Sequence, residues 1–127
     1  MKISSFNPLI MSPKADELIA LFEELGFERR HTKTNDDGIT DVRLKSEGGF
    51  HVDVSSLDKL PQDVMSIRMN VDDFDEAYKF LTDRGFKNTQ GDKISESPSG
   101  KGTAMVSPTG FIIALSHHKK ITNNFRR

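Results

Sequence analysis

The 127-residue chain has no cysteine, which excludes disulfides and thiolate chemistry and is compatible with the reducing cytoplasm, the expected compartment. It also lacks any apolar run near the roughly 20 residues of a membrane span. The amino terminus, MKISSFNPLIMSPK, does not read as a signal peptide. A charge excess is missing as well. The formal net charge is −1, so no global field draws nucleic acid. The local cluster ERRHTK (28–33) reads as a solvated strand, and the basic tail HHKKITNNFRR as a frayed terminus. What remains is one domain, 1–127, with no nucleic-acid or membrane partner and enough length to bury a core.

Two amphipathic helices stand out. In MSPKADELIALFEELGF, Ser12 is the expected N-cap and Pro13 the first helical residue. Ala15, Leu18, Ile19 and Phe22 make the apolar stripe, and Gly26 the left-handed stop. In VDDFDEAYKFLTDRGF, Asp73 caps and Glu76 suits a capping box. Phe74, Ala77, Tyr78 and Leu81 form that stripe, and Gly85 ends it. SSFNPLIM and DVMSIRMNV are strands preceding the helices. FERRHTKT, TDVRLKS and GFHVDVSS follow the first helix; FKNTQGD, GTAMVS and GFIIALSH follow the second. Asp37-Gly38 signals a hairpin, Ser107-Pro108-Thr109-Gly110 a turn, and Ser95–Gly102 a surface loop.

The two halves repeat. Asp16 and Gly26 stand as far from one another as Asp75 and Gly85 do, and GFHVDVSS aligns with GFIIALSH. This favours an internal duplication, with units at about 3–56 and 62–118 and a polar tail at 119–127.

The duplicated βαβββ order, together with LFEELGF, NVDDFDEAYKFLTDRGF and VSPTGFIIAL, resembles the vicinal oxygen chelate superfamily of glyoxalase I, bleomycin-resistance proteins and extradiol dioxygenases. The resemblance implies an α+β fold: two tandem βαβββ units whose curved mixed sheets form a cleft, with one helix behind each. It also implies a homodimer. In metal-dependent members each unit supplies one ligand from its first strand and one from its last. Carried onto this sequence, those positions are Asn7, Ser66, Asp53 and Ala114. One carboxylate with an amide, a hydroxyl and a methyl does not hold a transition metal. The expectation is therefore no metal and no cofactor. His51 and Asp53 share a strand face, but a metal there needs a third ligand that the sequence does not offer.

Strand alternation places Asn7, Leu9, Met11, His51, Asp53, Ser66, Arg68, Asn70, Ile112 and Ala114 on the cleft side as ligand-binding candidates. Asp41, Arg43 and Lys45 share the polar side of their strand, opposite Val42 and Leu44. Met65, Ile67, Met69 and Val71 are expected against a helix, and Phe50, Val52 and Val54 opposite His51 and Asp53. Arg68 has two readings: a partner for Asp53 or water, or a receptor for a ligand's anionic group. Pro8 removes a backbone donor from the first strand. The leading functional expectation is a metal-free small-molecule-binding protein of the bleomycin-resistance type, taking a ligand with apolar and anionic parts. The alternatives are a divergent lyase or dioxygenase-like enzyme, with His51 and Asp53 as acid–base groups, and an interaction module.

Overall fold

The computed structural model describes residues 1–34 and 38–118. Its elements are β1 (Ile3–Ser12), α1 (Ala15–Glu24), β2 (Glu28–Thr34), β3 (Thr40–Lys45), β4 (His51–Ser56), β5 (Val64–Val71), α2 (Phe74–Thr82), β6 (Lys87–Asn88), β7 (Ser95–Ser97), β8 (Gly100–Val106) and β9 (Ile112–His118). This is the expected α+β order, two βαβββ units with one helix each, the second unit carrying β7 as an additional short strand. The chain forms two compact units, 7–67 and 1–6 with 68–127.

In the unit 7–67 the strands run β2-β3-β4-β1. β4 lies antiparallel to β3 and parallel to β1. The ladder from β1 to β4 starts at Leu9, one residue after Pro8, so the missing N–H precedes it. The α1 stripe packs on β4 and β2. Ala15, Ile19, Val42, Leu44, Val52 and Val54 form the buried core there, flanked by Ile10, Leu18, Phe22 and Phe27. Leu44 and Val54 are wholly buried, each stabilising by about 2 kcal/mol.

The helix starts later than expected. Ser12 still belongs to β1, and its hydroxyl donates to Asp63 (2.6 Å) while accepting from Lys14 N (3.0 Å). The N–H that this hydroxyl accepts belongs to Lys14, ahead of the helix. Lys14 is the N-cap, with no side-chain cap bond, and Pro13 lies outside α1. Gly26 closes the helix at φ +103°, a region that disfavours residues with a Cβ.

In the other unit the order is β5-β9-β8-β6, with β7 also on β8. Met69, Val71, Phe74, Ala77, Leu81, Met105, Ile113 and Leu115 make its core. Asp73 caps α2 as expected, its Oδ1 accepting from Glu76 N at 3.0 Å. Two expectations fail here. FKNTQGD contributes only the two-residue β6, because Asn88 turns the chain by accepting from Gln90 N. Ser95–Gly102 is not an irregular loop: β7 pairs antiparallel with β8, Ser97 opposite Gly100.

Two apolar assignments are also corrected. Met65 is 63 % exposed, since the helix-covered core takes only Met69 and Val71 from β5. Phe50 is 71 % exposed, because β4 begins at His51 and Phe50 belongs to the preceding turn. The β2–β3 hairpin forms, Thr34 opposite Thr40. Asp37 of its expected turn and the tail at 119–127 lie outside the described residues.

Candidate functional site

The face of the unit 7–67 that turns away from α1 follows from alternation. Val42, Leu44, Val52 and Val54 face the helix, so residues 41, 43, 45, 51, 53 and 55 face the other way. The register arranges them in rows. Asp41 lies opposite Ser55, Arg43 opposite Asp53, and Lys45 opposite His51. β1 adds Leu9 beside Asp53 and Met11 beside Ser55.

The middle row holds a closed polar network. Arg43 Nε donates to Asp53 Oδ1 at 2.9 Å, and Arg43 Nη2 to Asp53 Oδ2 at 3.0 Å. The same Nη2 donates to Asn7 Oδ1 at 3.1 Å. Asn7 Nδ2 closes the ring by donating to Asp53 Oδ2 at 3.1 Å and also reaches the Pro8 carbonyl at 3.0 Å. Asp53 is 3 % exposed and Asn7 8 %, whereas the Arg43 side chain is 32 % exposed. A buried carboxylate is costly unless paired and hydrogen-bonded; a two-point guanidinium contact supplies both. The hydrogen bond to Asp53 holds the Arg43 pKa above its ordinary value. In the neighbouring row, Ser55 Oγ donates to Asp41 Oδ1.

His51 is electrostatically distinct. Desolvation, then Arg43 and Lys45, push its pKa below the ordinary imidazole value, with Arg30 adding to them and Asp53 opposing. The imidazole is therefore neutral at pH 7, able to donate at one ring nitrogen and accept at the other.

Of the other predicted residues, Ser66 is buried and donates to the Leu9 carbonyl at 2.9 Å. Asn70, Ile112, Ala114 and Arg68 belong to the second unit. There the Asn70 amide ties strands together: Nδ2 donates to Ser4 Oγ (2.6 Å), and Oδ1 accepts from His118 N (3.0 Å) and Ser116 Oγ (3.3 Å). Ala114 lies opposite Ala104 and Ile112 opposite Val106. Arg43 is the residue that sequence reasoning left outside the candidate set. A signal for it existed: the short turn Ser46–Phe50 forces Arg43 opposite Asp53, and opposite charges attract across strands.

Among the described residues no three His, Asp or Glu side chains converge as metal ligands, and no helix is long and apolar enough to cross a membrane.

The α+β fold is shared with several solved structures, at low sequence identity. Among solved structures, methylmalonyl-CoA epimerase from Mycobacterium tuberculosis superposes with TM-score 0.69 at 16 % identity, covering 92 % of this chain and 89 % of that one. A methylmalonyl-CoA epimerase in complex with methylmalonyl-CoA and NH4+ gives TM-score 0.68 at 18 % identity, covering 94 % and 98 %. A protein from Staphylococcus aureus gives 0.65 at 14 %, covering 94 % and 100 %. No family model and no curated protein matches the sequence.

Proposed function

We propose that this protein binds a small organic ligand with apolar and anionic parts, and does so without a metal ion. The observation that carries the reading is the network on Asp53. Both carboxylate oxygens already accept from Arg43, and one also from Asn7. A divalent ion at this carboxylate would have to displace a guanidinium. The other positions that the resemblance assigns to metal ligands are Asn7, Ser66 and Ala114, and Ser66 donates to a backbone carbonyl. This donor set does not fit a transition metal. The covalently attached cation stands at the one carboxylate where a diffusible cation would be expected.

Around that network, Leu9 and Met11 supply apolar surface, and Arg43, Lys45 and His51 supply hydrogen-bond donors. Such a mixture of apolar walls with few fixed polar groups suits a small ligand. Fold neighbours support the ligand class. One of them is recorded with methylmalonyl-CoA, whose acyl part combines a carboxylate, a methyl group and a thioester. A glyoxalase-like enzyme is the second reading, favoured by the neutral His51, a general-base candidate at neutral pH.

Native mass spectrometry and calorimetry test the proposal. Protein dialysed against a chelator binds methylmalonyl-CoA or a simpler acyl thioester, its mass matches a metal-free homodimer, and added Zn2+ or Ni2+ leaves the affinity unchanged. Binding that appears only with metal contradicts the reading. Turnover of a bound thioester by metal-free protein, lost in His51→Gln, favours the enzyme.

A further inference from the structure

Resting on the reading that this protein takes a small anionic ligand, the geometry points to Arg43 as the anchor for a ligand oxyanion: Asp53 and Asn7 fix one edge of the guanidinium and leave its Nη1 amino group to receive a carboxylate or phosphate oxygen beside Lys45 and His51. A guanidinium carries five N–H groups. Nε uses its one on Asp53, and Nη2 uses its two on Asp53 and Asn7. Among the described residues no acceptor takes the two on Nη1, and the side chain is 32 % exposed while its partner carboxylate is buried. The arginine is thus held at its inner edge and presented at its outer one.

The surroundings suit an anion. Lys45 and His51 form the next cross-strand pair on the same face. Arg43 and Lys45 from β3 and Arg30 from β2 disfavour protonation of His51, with Asp53 on β4 favouring it. An oxyanion placed there offsets that positive surplus and accepts hydrogen bonds from a group that needs no reorganisation, since Asp53 has already fixed its plane. A planar guanidinium matches the geometry of carboxylate and phosphate equally well. Asp53 is in this account a positioning residue; Arg43 is the one that touches the ligand.

The test is an NMR titration of the intact chain at constant ionic strength, with sodium malonate in one arm and inorganic phosphate in the other. The Arg43 side-chain N–H signals are expected to shift saturably, and the His51 titration midpoint to rise. The tighter anion identifies the ligand group as carboxylate or phosphate. Affinity falls about tenfold or more in the double variant Arg43→Ala/Asp53→Ala, which leaves no lone buried charge, and about threefold in Lys45→Ala. Arg43→Lys, which keeps the charge without the free planar edge, also weakens binding about tenfold and serves if the double variant does not fold. Absence of a saturable shift with both anions overturns the inference, as does unchanged affinity in the folded double variant, or in Arg43→Lys if the double variant does not fold. An uncharged butyryl thioester separates the two levels. If it binds where neither anion does, the oxyanion anchor alone fails. If nothing binds, the ligand-binding reading fails with it.

Discussion

The β3–β4 and β8–β9 hairpins close through the same turn and carry opposite chemistry. In one, Ser46 N donates to the Phe50 carbonyl at 2.8 Å and Gly49 N to the Ser46 carbonyl at 3.0 Å; in the other, Ser107 and Phe111 bond at 2.8 Å and Gly110 and Ser107 at 3.0 Å. The serine hydroxyl accepts from the phenylalanine N–H in both. Identical turns set identical registers. Arg43–Asp53 in the first hairpin therefore occupies the place of Ala104–Ala114 in the second. The β8–β9 hairpin accommodates a pair of methyl groups at this position, so the hairpin geometry itself does not require a charged pair. That is the physical ground for the role proposed for the pair.

A double-mutant cycle at this pair, read by urea denaturation, carries the largest expected effect. Arg43→Ala leaves Asp53 buried without its guanidinium and costs about 3 kcal/mol. Asp53→Ala costs less, about 1–2 kcal/mol, because the half-exposed Arg43 turns to water. The double variant, which copies Ala104–Ala114, is more stable than Arg43→Ala alone, with a coupling energy of about 2 kcal/mol. Additive losses would show that the pair is not the unit described here.

Helix ends give a second contrast. Gly85 and Gly26 both have positive φ, +91° and +103°, but a Cβ on Gly85 would lie 2.9 Å from the Pro108 ring while one on Gly26 meets nothing within 4 Å. Gly85→Ala should cost about 2 kcal/mol or more, and Gly26→Ala about 1 kcal/mol, from backbone strain alone. Equal losses would remove the Pro108 contact as a cause. The helix starts differ too. Asp73→Ala removes a cap bond and costs about 1 kcal/mol, whereas Lys14→Ala, which removes none, stays within about 0.5 kcal/mol in thermal melts.

The smallest effect belongs to His51. Its folded pKa lies below the unfolded value of 6.5, chiefly through desolvation and then Arg43 and Lys45. The folded state therefore binds fewer protons below neutrality. The stability held above the unfolded pKa is lost as pH falls through the folded one. Wild type should lose slightly more Tm than His51→Gln between pH 7 and pH 5. A steeper loss in the variant would reverse the assigned sign.

Much of this was legible in the sequence. The helix stripes, both glycine stops, the Asp73 cap and the strand–helix order all rest on local periodicity, which the fold obeys. What escaped depended on contacts distant in sequence. Ser12 reads locally as a cap, but it is claimed by Asp63. Ser95–Gly102 reads as a loop because Pro98, Ser99 and Gly100 are turn formers; Pro98 and Ser99 are in fact the turn joining β7 to β8, and Gly100 already pairs with Ser97. Arg43 was visible on the correct face of its strand. Alternation supplies faces and not partners, so the carboxylate it grips emerged only once the register was fixed.

Metal-free anion binding at Arg43 is measured directly by calorimetric titration of malonate into chelator-treated protein, repeated with Zn2+ or Ni2+ and repeated in Arg43→Ala/Asp53→Ala. Saturable binding is expected in the metal-free wild type, with the same affinity when metal is present and a loss of about tenfold or more in the double variant. Binding that requires the metal, or that survives unchanged in the double variant, contradicts metal-free anion binding at Arg43.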